Sequence, residues 1–136
     1  MSRATIRSLI NAHVASIPGL PPLQLENTPN IGQTGKPFSR LTLLPARSRS
    51  SSVGRNGTDL HRAIVQIDLF YPIDMSTRQA DLMADIVCSH FPRGFVLGEG
   101  DVHVHFSTPS IDAGYIFEPF YCLPVVVEWS SVLPAQ

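Results

Sequence analysis

Charge is scarce in this chain. Only 15% of its 136 residues are Asp, Glu, Lys or Arg, where soluble domains average about a quarter. With a formal net charge of −1, little repulsion keeps copies apart, which favours assembly. Cysteine is scarce too: Cys88 and Cys122 are too few for a disulfide scaffold and fall in segments that read as core, so both are expected to be buried thiols. No stretch reaches the roughly 18 consecutive apolar residues that span a bilayer, and Met1 to Asn11 lacks the apolar centre of a signal peptide. The expectation is a protein with no membrane partner, made in the cytoplasm. No internal repeat is present. G-x-S-x-G, G-x-x-x-x-G-K-[ST] and G-x-G-x-x-G are all missing; Gly98-Glu99-Gly100 lacks a third glycine and opens no helix. The commonest frameworks for hydrolysis, phosphate cradling and dinucleotide binding are therefore excluded.

The length fits one domain spanning residues 1–136, able to bury about two-thirds of the surface its unfolded chain exposes. Ile6, Leu9, Ile10, His13, Val14 and Ile17 recur at helical spacing, and Pro18-Gly19 ends the stripe. Residues 20–27 hold a short strand at most, since Pro21 and Pro22 cannot donate to a ladder, and a turn-rich connector follows. Phe38 to Leu44 and Ala63 to Tyr71 alternate as strands. In the second, Ala63, Val65, Ile67, Leu69 and Tyr71 share one face, with Ile64, Gln66, Asp68 and Phe70 on the other. Ser76 to Gln79 has capping-box spacing, with Ser76 as N-cap. The helix it opens carries a stripe of Leu82, Met83, Ile86, Val87 and Phe91, with Asp81 and Asp85 outward. Val102 to Ser107 and a run within Ile116 to Trp129 supply further strands. This order predicts an α+β fold, a mixed or antiparallel β-sheet packed against two α-helices, with a long β-hairpin arm.

That arm is a flexible basic segment, residues 45–62. It carries Arg47, Arg49, Arg55 and Arg62 against one acid, Asp59. Links between strands of compact domains run about 2–6 residues, so eighteen polar residues ask for a reason outside the fold. Residues 1–62 hold eight bases and two acids; the remainder holds two bases and nine acids. If those halves occupy different faces, the basic surface of one copy meets the acidic surface of another head to tail, a heterologous contact that closes into a ring when the rotation permits. Three readings of the arm stay open: a solvated loop, a binder of nucleic-acid phosphates, or an arm that docks on an acidic protein surface. The absence of aromatics for base stacking favours the last.

His103 and His105 project from one face of a strand, as a two-histidine metal site requires, with Asp101, Glu99 or His90 as possible third ligands. None of these stands at a characteristic spacing. Ser48 to Ser52 with His61 and Asp59 hold the residue types of a nucleophile, base and acid, but nothing supplies a rigid elbow. We expect no catalytic residues, no cofactor and no bound metal. In YIFEPFYCLPVVVEW, residues 115–129, Tyr121, Leu123, Val125, Val127 and Trp129 face one side, and the other side is also largely apolar. Such a strand is central or covered by another subunit. Phe117 and Phe120 are either interface anchors or core.

Three blocks, LENTPNIGQTGKPFSRLTLLPA at 25–46, GRNGTDLHRAIVQIDLFYP at 54–72 and YCLPVVVEW at 121–129, resemble the tail-terminator proteins of long-tailed (siphovirus-type) bacteriophages. The likeness covers roughly residues 4–130, and the order and spacing of the blocks carry it. It implies a structural virion protein and no enzyme: a homohexameric ring at the head-proximal end of the tail that caps the tail tube and stops its polymerisation. The ring would also provide the surface for head-tail joining. The implied partners are other copies of the chain, the major tail tube protein and a head-tail connector or neck protein, with DNA only passing through the lumen. Arg47, Arg49, Arg55, Arg62, Phe117 and Phe120 are the expected subunit or tube contacts. The nearest alternative is another neck protein, acting in head-tail joining or tail completion.

Overall fold

The computed structural model describes residues 2–45, 49–50, 58–73 and 76–134. Helix α1 (Ser2–Ala15) is followed by β1 (Leu23–Gln24), β2 (Phe38–Pro45), β3 (Arg49–Ser50) and β4 (Thr58–Pro72). Helix α2 (Arg78–Ser89) precedes β5 (Val96–Glu99), β6 (Val102–Phe106), β7 (Ser110–Ile111), β8 (Tyr115–Phe117) and β9 (Phe120–Pro134). Among the described residues these strands form one mixed sheet in the order β1-β2-β4-β9-β6-β5, with β3 on β4 and β7 and β8 on β9. The expected α+β architecture is the one observed. No described helix is long and apolar enough to cross a membrane.

The antiparallel pair β4 and β9 is the spine of the molecule. Each has 15 residues, paired without interruption from Thr58 opposite Pro134 to Pro72 opposite Phe120, a ladder roughly 50 Å long. Its length follows from composition: Val, Ile, Leu and aromatic residues occupy both faces, which suits a strand with neighbours on each side. Pro72 ends β4 because it cannot extend the ladder.

Both helices pack on one face. Ile6, Ile10, Val14 and Ile17 from the α1 segment meet Val65, Ile67, Leu69, Val125 and Val127 in a single buried cluster with Met83, Val87 and Phe91. The alternation expected in Ala63 to Tyr71 and in Tyr121 to Trp129 is therefore realised. His13 joins the helices: its Nε2 donates to the carbonyl of His90 at 2.7 Å, and its ring lies edge-on to Phe91. The opposite face has no described helix over it. There Phe38, Phe70, Phe120 and Cys122 form a smaller buried cluster.

Three expectations need correction. The N-cap of α2 is Thr77, not Ser76; Thr77 already has helical angles and makes no side-chain cap, while its carbonyl accepts the first helical bond from Asp81 N at 2.9 Å. Ser76 Oγ accepts only a long bond from Arg78 N, 3.4 Å. The buried stripe of α2 is Ala80, Met83, Ala84 and Val87, leaving Leu82 at 48% and Ile86 at 40% exposure. Small alanines let α2 approach the sheet closely, and that choice turns Leu82 and Ile86 outward. Finally, the charged halves do not divide cleanly in space, because β2 and β4 pair Arg40 directly with Asp68.

Candidate assembly surface

The arm continues the β2–β4 hairpin. Pro45 lies opposite Ala63, and Arg49 lies opposite Leu60. Arg47 and Arg55 lie outside the described residues, and Arg49 is placed only by its backbone in β3. Arg62 is exposed, opposite Ser130, and lines a surface depression with Ile64, Ser107, Glu128 and Trp129. The arm base and the end of β9 thus form one end of the long ladder.

At the other end β9 turns back into β8 through Glu118-Pro119, whose peptide bond is cis. Of the two aromatic candidates here, Phe120 is buried against Phe38 and Phe70, while Phe117 is 52% exposed. Ile111, Tyr115 and Ile116 are exposed with it. Sequence reasoning placed no strand over residues 110–115 and did not single these three out. The available signal was the apolar Tyr-Ile-Phe run after Gly114, which one more step of alternation would have joined to the hairpin.

Gly114 leaves room for the Tyr121 side chain. A Cβ at this position would fall on the Tyr121 ring, with Cε1 2.8 Å away. Gly114→Ala is expected to cost about 1–3 kcal/mol through overpacking, measured by urea denaturation; an unchanged midpoint would refute the constraint.

On the uncovered face, Asp68 is almost wholly buried and accepts from Arg40 Nη2 at 3.0 Å, Arg40 Nε at 3.3 Å and Gln66 Nε2 at 2.9 Å. The guanidinium also lies 5.0 Å from the centre of the Phe70 ring. Beside this network, burial pushes the Cys122 thiol up to about 11 from 9.0, against the opposing hydrogen bond with Tyr115. That hydrogen bond, followed by burial, raises the Tyr115 hydroxyl to about 12. The unfolded thiol loses its proton near pH 9 while the folded one retains it, so stability is full below about pH 9 and falls as pH rises toward 11. Thermal melts should show this loss, on the order of 2 kcal/mol, and Cys122→Ala should flatten it; an identical slope in the variant would remove Cys122 as its source.

His103 and His105 are exposed on β6. Among the described residues no three His, Cys, Asp or Glu side chains converge as metal ligands.

A family model for phage tail terminator proteins matches residues 5–129. The chain belongs to the phage tail terminator family. Membership makes it a structural protein of the phage tail and places it in the virion. Comparison with curated proteins gives no match. One solved structure, 20% identical, covers 100% of this chain and 99% of its own with a TM-score of 0.75, which shows that this terminator fold recurs in a divergent sequence.

Proposed function

We propose that this chain caps the phage tail tube as a ring, stops tube polymerisation at the finished length, and offers its free side for joining to the head. The family match over residues 5–129 carries the reading, and the resemblance makes the ring a hexamer. Its partners are neighbouring copies, the major tail tube protein and a neck protein, with DNA passing through the lumen. Two features of the fold support an assembly role. The basic arm emerges at one end of the β4–β9 ladder, and exposed apolar side chains gather at the other, a polarity suited to head-to-tail contacts.

The test mixes purified chain with tail tube protein and follows tube length by negative-stain microscopy and oligomer mass by light scattering. Rings and arrested tubes are expected. Replacing Arg47, Arg49 and Arg55 by alanine should abolish both while leaving the circular dichroism spectrum unchanged. A monodisperse monomer that forms no ring even with tube protein present would overturn the proposal.

A further inference from the structure

Strands β7 and β8 make a lip along the edge of β9. Each pairs with β9, and among the described residues neither has a strand on its outer side. Ser110, Tyr115 and Phe117 share the register of the uncovered face, while Ile111 and Ile116 share that of the helical face. Ile111, Tyr115, Ile116 and Phe117 are nevertheless all exposed, Ile116 at 58%. Natural proteins protect open edges with charge, proline or a cover; here four of the five strand residues, drawn from both faces, are large and apolar, and the charges, Asp112 and Glu118, stand exposed just outside them. An open backbone edge, apolar side chains and an acidic rim together fit a basic, extended segment.

The chain contains a basic segment at a place from which it cannot serve its own lip. The arm leaves the ladder at Thr58 opposite Pro134, whereas β7 lies beside Val126 and Val125 and β8 beside Cys122 to Phe120, roughly 25 Å and 40 Å away at strand spacing. Between Ser50 and Thr58 only residues 51–57 intervene, about 25 Å of fully extended chain, and with both ends held in the ladder such a loop reaches out only about half that length.

We propose that the β7–β8 lip of one copy receives the basic arm, residues 46–57, of a second copy, with Arg47, Arg49 and Arg55 facing Asp112 and Glu118. The proposal rests on the ring reading above and names the contact that links its subunits. The outward face of α2, with Leu82 and Ile86 beside Asp81 and Asp85, is the competing acceptor. It offers fewer apolar side chains, and as a helix it has no open ladder edge to pair with a strand.

Charge exchange tests the contact. One chain carries Arg47→Glu, Arg49→Glu and Arg55→Glu; a second carries Asp112→Lys and Glu118→Lys. Each alone should need roughly a hundredfold higher concentration to assemble, since like charges juxtaposed in an interface cost several kcal/mol. Mixed in equal amounts they should regain the wild-type mass by light scattering, because each arm then meets a lip of opposite sign. Wild-type assembly by either variant alone, or a mixture that stays dissociated, would overturn the inference while leaving the ring reading intact. Rescue by Asp81→Lys and Asp85→Lys in place of the lip changes would assign the arm to α2 instead. A labelled peptide of residues 45–57 reads the same contact without ring closure: it should bind the arm-reversed chain saturably and fail to bind once Asp112→Lys and Glu118→Lys are added. Equal binding to both, or to neither, would overturn the inference even if the wild-type chain forms no rings.

Discussion

Phe70→Ala should lower folding stability by about 4 kcal/mol, the range for deleting a buried phenyl ring. Phe70 is fully buried, stacks on Phe38 with ring centres 4.4 Å apart and meets Phe120 edge-on at 5.9 Å. No described helix backs this cluster, so neighbours on only one side of the sheet can collapse into the space. Arg40 would also lose the ring beneath its guanidinium, and Phe117 its neighbour at 5.9 Å. The effect is read as a lower urea midpoint at unchanged slope. A loss below about 1 kcal/mol, the scale of an ordinary surface substitution, would show that the second cluster contributes little to the fold.

Arg40→Ala is expected to cost about 3 kcal/mol, because Arg40 is itself partly exposed but its removal strands the buried charge it pairs with. The stranded group is the Asp68 carboxylate, 1% exposed, which would keep the hydrogen bond from Gln66 and that with the Cys122 thiol but lose its counter-ion. Adding Asp68→Asn to Arg40→Ala should restore most of the loss, since a neutral amide needs no counter-ion. The double-mutant cycle measures the coupling. If the double variant is as unstable as Arg40→Ala alone, the cost lies in lost packing over Phe70 and not in the stranded charge.

How far these features were legible in the sequence differs from element to element. The stripe from Ile6 to Ile17 and the alternation from Ala63 to Tyr71 appear in the fold as their periods predict, because side-chain direction along a helix or strand is a local property. The short strands β5, β7 and β8 escaped, since two to four residues carry too little period to read. The lip escaped for the same reason. Of the proposed contact residues, Arg62 and Phe117 could be placed on the surface and Phe120 in the core, while Arg47 and Arg55 lie outside the described residues.

By itself, then, the sequence determined the α+β order, the long basic arm and, through three spaced blocks, the tail-terminator likeness. Tertiary structure decided which side of α2 is buried. Leu82 and Ile86 fit a helical stripe as well as Met83 and Val87 do, and only the close approach allowed by Ala80 and Ala84 selects the second pair. It also decided that Arg40 from the basic half is neutralised by Asp68 from the acidic half, because strand pairing joins residues that no local pattern connects. Most consequentially, the ladder of β4 and β9 sets the base of the arm and the β8 part of the apolar lip at opposite ends, a separation fixed by register and strand length, quantities that exist only once the strands have paired.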